Sequence, residues 1–200
     1  MNLPNKLTIA RLIMTPVFLA TFLIDFPHHY LVALIIFCVA SITDYIDGNM
    51  ARKCGLVTDF GKFLDPLADK MLTTSAFLGF IHLGIGYGIT WITFIVLIRE
   101  FLITSLRLVS AGKGNVIAAN IWGKAKTVSQ MLAIIVAIGG RYIESFFNNS
   151  TVFCVIDVIT NIMLWISAVL TVISGVIYVV QNKDLLTLKN KCRQMPVFWV

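Results

Sequence analysis

Charge is scarce in this chain. Asp, Glu, Lys and Arg make up 13% of its 200 residues, whereas 58% are hydrophobic and the mean hydropathy is +0.87. A soluble domain of this length could not hide so much apolar sequence, so that class is excluded. Acid is scarcer than base, 10 residues against 16, for a formal net charge of +6. Cysteine is sparse as well. Cys38, Cys54, Cys154 and Cys192 match neither metal-binding spacing nor a disulfide framework and read as packing residues and incidental thiols. Proline and glycine form no linker, and no repeat or low-complexity tract divides the chain. A single domain over residues 1–200 is expected.

What is abundant is long apolar sequence. Several windows reach the roughly 20 residues that span a bilayer core, and six spans fall at roughly 7–27, 31–53, 60–83, 89–111, 123–147 and 155–181. The expected fold is therefore an all-α integral membrane bundle of six transmembrane helices. The basic residues alternate between connections. Lys6 and Arg11 open span one, and Arg52, Lys53, Lys62 and Lys70 flank the connection between spans two and three. Lys113, Lys124 and Lys126 flank the one between four and five, and Lys183, Lys189, Lys191 and Arg193 follow span six. The opposite connections carry Asp25, His28, His29, His82, Arg141 and Glu144, with Arg141 their only firm positive charge. The positive-inside rule then puts both termini, and the 183–200 tail, in the cytoplasm. It also accounts for the basic balance without a nucleic-acid partner.

The apolar run Leu12 to Ile24 follows two basic residues, as in a signal peptide, but Asp25-Phe26-Pro27 replaces a small-residue cleavage site. An uncleaved first span is expected, and Asn5 to Arg11 suits either the membrane interface or a plain anchor. The His28-His29 pair lacks a companion ligand. Trp199, near the end of the tail, suits the headgroup level.

Against this apolar background, four aspartates stand close together: Asp44, Asp47, Asp65 and Asp69. Carboxylates at membrane depth are costly and mark functional sites. On a helix, residues three apart share a face, as do residues four apart, so Asp44 pairs with Asp47 and Asp65 with Asp69. Gly48 and Ala51 continue the first face with small residues that let a ligand approach, and Cys54-Gly55 can turn the chain. Four carboxylates in a small volume repel, so either some stay protonated or cations neutralise them, and an all-oxygen set suits Mg2+ or Mn2+. Two such ions suit phosphate chemistry, and Arg52 offers a planar fork to phosphate oxygens. The plainer possibility is that the aspartates cap helices or pair with Arg52, Lys62 and Lys70.

The run Asp44-x-x-Asp47-Gly48-x-x-Ala51-Arg52, then Gly61, Asp65 and Asp69, resembles the complete signature of the CDP-alcohol phosphotransferase family. The resemblance implies two divalent metals, Mg2+ or Mn2+, held by Asp44, Asp47, Asp65 and Asp69. It implies contacts to a CDP-linked donor from Asp47, Gly48, Ala51, Arg52, Thr58 and Gly61, with Asp69 as the general base. It also implies a homodimer in a bacterial plasma membrane.

Span four adds Arg99, Glu100 and Arg107, and span five opens with Gly123-Lys124-Ala125-Lys126-Thr127. Arg99 and Glu100 are adjacent and should leave the helix on different sides, so a mutual pair is a poor account of both. Arg99, Arg107, Lys124 and Lys126 could together line a second basic pocket, useful if the acceptor alcohol itself carries a phosphate. Ion pairing within the bundle and positive-inside anchoring are the alternatives. The Arg-Glu-Phe and Gly-Lys-x-Lys-Thr runs, with Phe60 to Pro66 and the opening Asn2 to Thr8, are similar to the family's branch whose acceptor is glycerol 3-phosphate. The resemblance thus implies transfer of a phosphatidyl group from CDP-diacylglycerol to glycerol 3-phosphate, with CMP released. Two alternatives stay open: another acceptor (inositol phosphate, inositol, serine or phosphatidylglycerol), and a divalent-cation transporter that uses the aspartates as an ion path.

Overall fold

The computed structural model describes residues 3–54, 59–112, 121–147 and 150–181. They form six helices: α1 (Leu3–Leu23), α2 (His29–Cys54), α3 (Asp59–Leu83), α4 (Ile89–Gly112), α5 (Ile121–Glu144) and α6 (Ser150–Gln181). The helices follow the apolar runs closely, since only intrahelical hydrogen bonds satisfy a backbone in hydrocarbon. Several ends differ from the sequence expectation, with α1 beginning at Leu3 and α5 ending at Glu144. α1 stops at Leu23 because Asp25-Phe26-Pro27 breaks the apolar run, and α6 begins at Ser150. Three helical segments among the described residues are long and apolar enough to cross a membrane: Ile89–Leu108, Ile121–Glu144 and Ser150–Gln181. Thr8–Leu23 and His29–Thr43 are shorter apolar stretches.

The helices pack as a ring. α1 lies against α2 and α3, α2 continues onto α5, α5 onto α6, α6 onto α4, and α4 closes onto α3. Contacts between α3 and α5 cross the middle. Neighbours in sequence alternate in direction, as their connecting residues show. Tyr87, between α3 and α4, donates its backbone N–H to Asn161 Oδ1 in the first half of α6. His28, between α1 and α2, stacks on Phe146, just beyond α5. At the same end Arg141 pairs with Glu144 at 2.8 Å and Asp157 at 3.5 Å, so the lone basic residue of these connections is neutralised locally.

Two kinds of packing hold the ring. Between α1, α2 and α3 the core is aromatic: Phe18 meets Phe22 and Phe37 at ring-centroid distances of 5.8 and 5.6 Å, and Phe22 meets Phe80 edge-on at 5.8 Å. Gly79 makes room, since a Cβ there would lie 2.5 Å from the Phe22 ring. Between α5 and α6 the interface is small and polar. A Cβ on Gly140 would meet Ile156 at 2.5 Å, and Gln130 donates to Thr171 Oγ1 at 3.3 Å. Small residues let helix backbones approach, and side-chain hydrogen bonds add to the attraction where lipid supplies no hydrophobic drive. The buried stripe of α5 runs Lys126, Gln130, Ala133, Ala137, Gly140. It therefore begins with a lysine.

Candidate active site

The helical backbone carries Asp44, Asp47, Gly48, Ala51 and Arg52 on the last turns of α2, and Gly61, Asp65 and Asp69 on the first turns of α3. Alternating helix direction brings these two ends to one side of the bundle. The side chains of these residues lie outside the described residues, as does the whole of Thr58. The four carboxylates expected from the sequence are hard oxygen donors, of the kind that would suit hard divalent ions.

One residue beyond Asp69, Lys70 opens a charged cluster. Its ammonium reaches from α3 to α4, where it lies 3.4 Å from Glu100 Oε2 and donates to the Glu100 backbone carbonyl at 3.1 Å and to Thr104 Oγ1. The Thr104 hydroxyl donates in turn to the same carbonyl at 2.7 Å. From α5, Lys126 donates to Glu100 Oε1. Arg99 reaches the same oxygen through Nη1 at 2.9 Å and spends Nη2 on Ser174 Oγ of α6 at 2.7 Å. One carboxylate thus gathers cations from three helices, with the fourth helix holding the guanidinium from behind.

Glycines shape the path of Arg99. A Cβ on Gly175 would lie 3.2 Å from Arg99 Cγ, and one on Gly123 would lie 3.8 Å from Nη2. The bare surface of α6 lets the arginine stem lie flat and bend its head back to Glu100. Adjacent Arg99 and Glu100 do pair, because a long, flexible side chain overrides the divergence of their Cα–Cβ bonds. The pair still does not account for both, because Glu100 serves two further cations and Arg99 a further helix.

Of the four basic residues expected to share a pocket, Arg99 and Lys126 come together on Glu100. Arg107 is exposed and lies over the Tyr178 ring at 5.7 Å, and Lys124 is exposed on α5. Sequence reasoning missed Lys70, which looked like one more positive-inside anchor. The signal was present: Lys70 is two helical turns before buried Phe77, so it stands on the inward face of α3.

The electrostatics follow from the count. Among the described side chains Lys70, Arg99 and Lys126 face one carboxylate, which leaves two positive charges over at a point where Lys126 is 4% exposed and Glu100 17%. An anion with two negative charges would complete the cluster. Beside it, a cavity of about 390 Å³ between α4 and α6 is walled by aliphatic side chains, with the Arg99 stem at its inner edge.

Known proteins give the cluster a context. Residues 1–173 match the model of the CDP-alcohol phosphatidyltransferase family. The chain is 37% identical over 201 residues to the CDP-diacylglycerol–glycerol-3-phosphate 3-phosphatidyltransferase of Bacillus subtilis, covering 94% of this chain and 99% of that one. It is 38% identical over 178 residues to the Rickettsia bellii protein of the same name, with 88% and 93% covered. A probable phosphatidylglycerophosphate synthase of Mycobacterium tuberculosis is 41% identical over 181 residues, with 89% and 80% covered.

Proposed function

We propose that this chain, which belongs to the CDP-alcohol phosphatidyltransferase family, transfers a phosphatidyl group from CDP-diacylglycerol to glycerol 3-phosphate and releases CMP. The product is phosphatidylglycerophosphate, a step of phospholipid biosynthesis. The observation that supports a phosphorylated acceptor is the surplus of two positive charges, among the described side chains, around Glu100 of α4, in a cluster whose Lys70 follows Asp69 on α3. A neutral alcohol has no use for that surplus, whereas a phosphate monoester carries about two negative charges near neutral pH. Inositol phosphate is a monoester as well, and the names of the relatives favour glycerol 3-phosphate over it.

In the proposed step the primary hydroxyl oxygen of glycerol 3-phosphate attacks the β-phosphorus of the donor. A new P–O bond forms, the bond from that phosphorus to the CMP oxygen breaks, and CMP leaves with the electron pair. Asp69 takes the hydroxyl proton, directly or through a water molecule. Asp44, Asp47, Asp65 and Asp69 would hold two Mg2+ or Mn2+ ions, which when bound neutralise the donor pyrophosphate and the departing phosphate. Asp47, Gly48, Ala51, Arg52, Thr58 and Gly61 would seat the CDP moiety. Arg99 and Lys126, with Lys70, would bind the acceptor phosphate, and Arg107 and Lys124 would line its approach. All six helices span the membrane in this reading, and the site opens to the cytoplasm, where both soluble substrates are found. The protein works as a homodimer in a bacterial plasma membrane.

Purified protein given CDP-diacylglycerol, Mg2+ and one acceptor at a time tests this directly. CMP should appear with glycerol 3-phosphate and stay at background with inositol, inositol phosphate, serine and phosphatidylglycerol. Equal CMP release with inositol phosphate would overturn the acceptor assignment. No acceptor-dependent release at all would overturn transferase activity in favour of cation transport.

A further inference from the structure

We propose that Glu100 is a positioning residue for the acceptor: it holds Lys126, Arg99 and Lys70 at one point of the bundle, so that their surplus charge meets the acceptor's phosphate in a fixed geometry. This rests on the acceptor reading above and adds a residue that binds no substrate itself.

The argument begins with Lys126. Its side chain is 4% exposed, and Glu100 is its one partner among the described residues. A buried ammonium without a counter-charge sheds its proton or leaves the interior. Glu100 therefore keeps Lys126 both charged and in place. Arg99 is next. Its guanidinium is fixed at Nη1 by Glu100 and at Nη2 by Ser174, while Nε is buried with no partner. With the orientation of the head set, each Nη keeps a second N–H for an incoming oxyanion. Lys70 differs, since the Glu100 carbonyl and Thr104 already take its hydrogens. It contributes its charge and ties α3, the helix of Asp69, to α4. Three like charges would otherwise spread apart. Glu100 supplies the shared counter-charge yet leaves the described side chains of the cluster two charges short of neutrality, the amount a phosphate monoester brings.

Steady-state kinetics of the full-length protein in detergent micelles separate positioning from mere structural support. Glu100→Gln keeps the size of the side chain and removes its charge. It should raise KM for glycerol 3-phosphate by about 10- to 100-fold, the cost of losing well-placed charged contacts, with KM for CDP-diacylglycerol changed by less than about twofold. Glu100→Asp keeps the charge on a shorter arm and should recover most of that loss. The double variant Glu100→Gln/Lys126→Met restores the original surplus without the geometry, and its KM should stay raised. A return to the wild-type KM in the double variant would reduce Glu100 to a charge balancer and overturn the proposal. An unchanged KM in Glu100→Gln would also overturn it. If Lys126→Met raises KM in that case, the acceptor pocket stands without Glu100; if Lys126→Met leaves KM unchanged too, the pocket assignment falls with it. Should Glu100→Gln fail to fold, Glu100→Asp decides the matter. A proportional loss for donor and acceptor in that variant contradicts positioning.

Discussion

Lys126 of α5 and Glu100 of α4 form an ion pair inside the bundle, with side chains 4% and 17% exposed. Lys124, two residues earlier in the same basic run, faces outward. Lys126→Met should therefore raise KM for glycerol 3-phosphate by about tenfold or more, and Lys124→Met by less than about threefold, since an exposed charge is worth little. The comparison needs only CMP release measured against acceptor concentration. Equal effects of the two substitutions would mean that burial does not decide which lysine acts.

Metal dependence is the second expectation. Four carboxylates and no softer ligand imply that a chelator stops turnover and that Mg2+ or Mn2+ restores it. Asp69→Asn should fall to background even with excess metal, because it removes a ligand and a proton acceptor together. Substantial turnover by Asp69→Asn would remove it from both roles.

A stability prediction follows from the aromatic core. A Cβ on Gly79 would sit 2.5 Å from the ring of Phe22, which is fully buried between α1 and α3. Gly79→Ala should cost about 1–3 kcal/mol through forced repacking. Thermal unfolding in detergent should show a lower midpoint, and the residual native enzyme should keep its KM values. An unchanged midpoint would show that the Phe22 ring moves aside freely.

Orientation can be read with single cysteines in a background lacking the native thiols. Tyr87, exposed between α3 and α4, lies at the end opposite Lys124. A membrane-impermeant maleimide should label Tyr87→Cys in intact cells and Lys124→Cys only in inverted vesicles. The reverse pattern would invert the bundle and contradict the positive-inside assignment.

Much of this was legible along the chain. Apolar runs of membrane-spanning length leave a backbone no alternative to helix, so the six elements could be placed to within a few residues. The helix ends were harder, since hydropathy changes gradually where caps and loops decide; α6 starts five residues before the expected 155. The aspartate run was equally plain. Carboxylates are rare in apolar sequence, and the run that holds them, with Gly48, Ala51, Arg52 and Gly61, resembles the family's signature; the match over residues 1–173 bears that membership out.

The sequence by itself determined an all-helical chain, the family and the position of the carboxylates on two consecutive helices. Only the tertiary structure decided which charges work together. Lys124 and Lys126 look equivalent as letters, yet residues two apart on a helix point about 200° from each other. Packing of α5 against α6 turns one inward and the other out. Arg99 and Glu100 look divergent as neighbours, yet the bare surface at Gly175 lets the arginine fold back. Lys70 is thirty residues from Glu100 and belongs with it because α3 packs on α4. Helix periodicity is a local property, whereas a charge cluster depends on which helix faces which, and that is set by the whole ring.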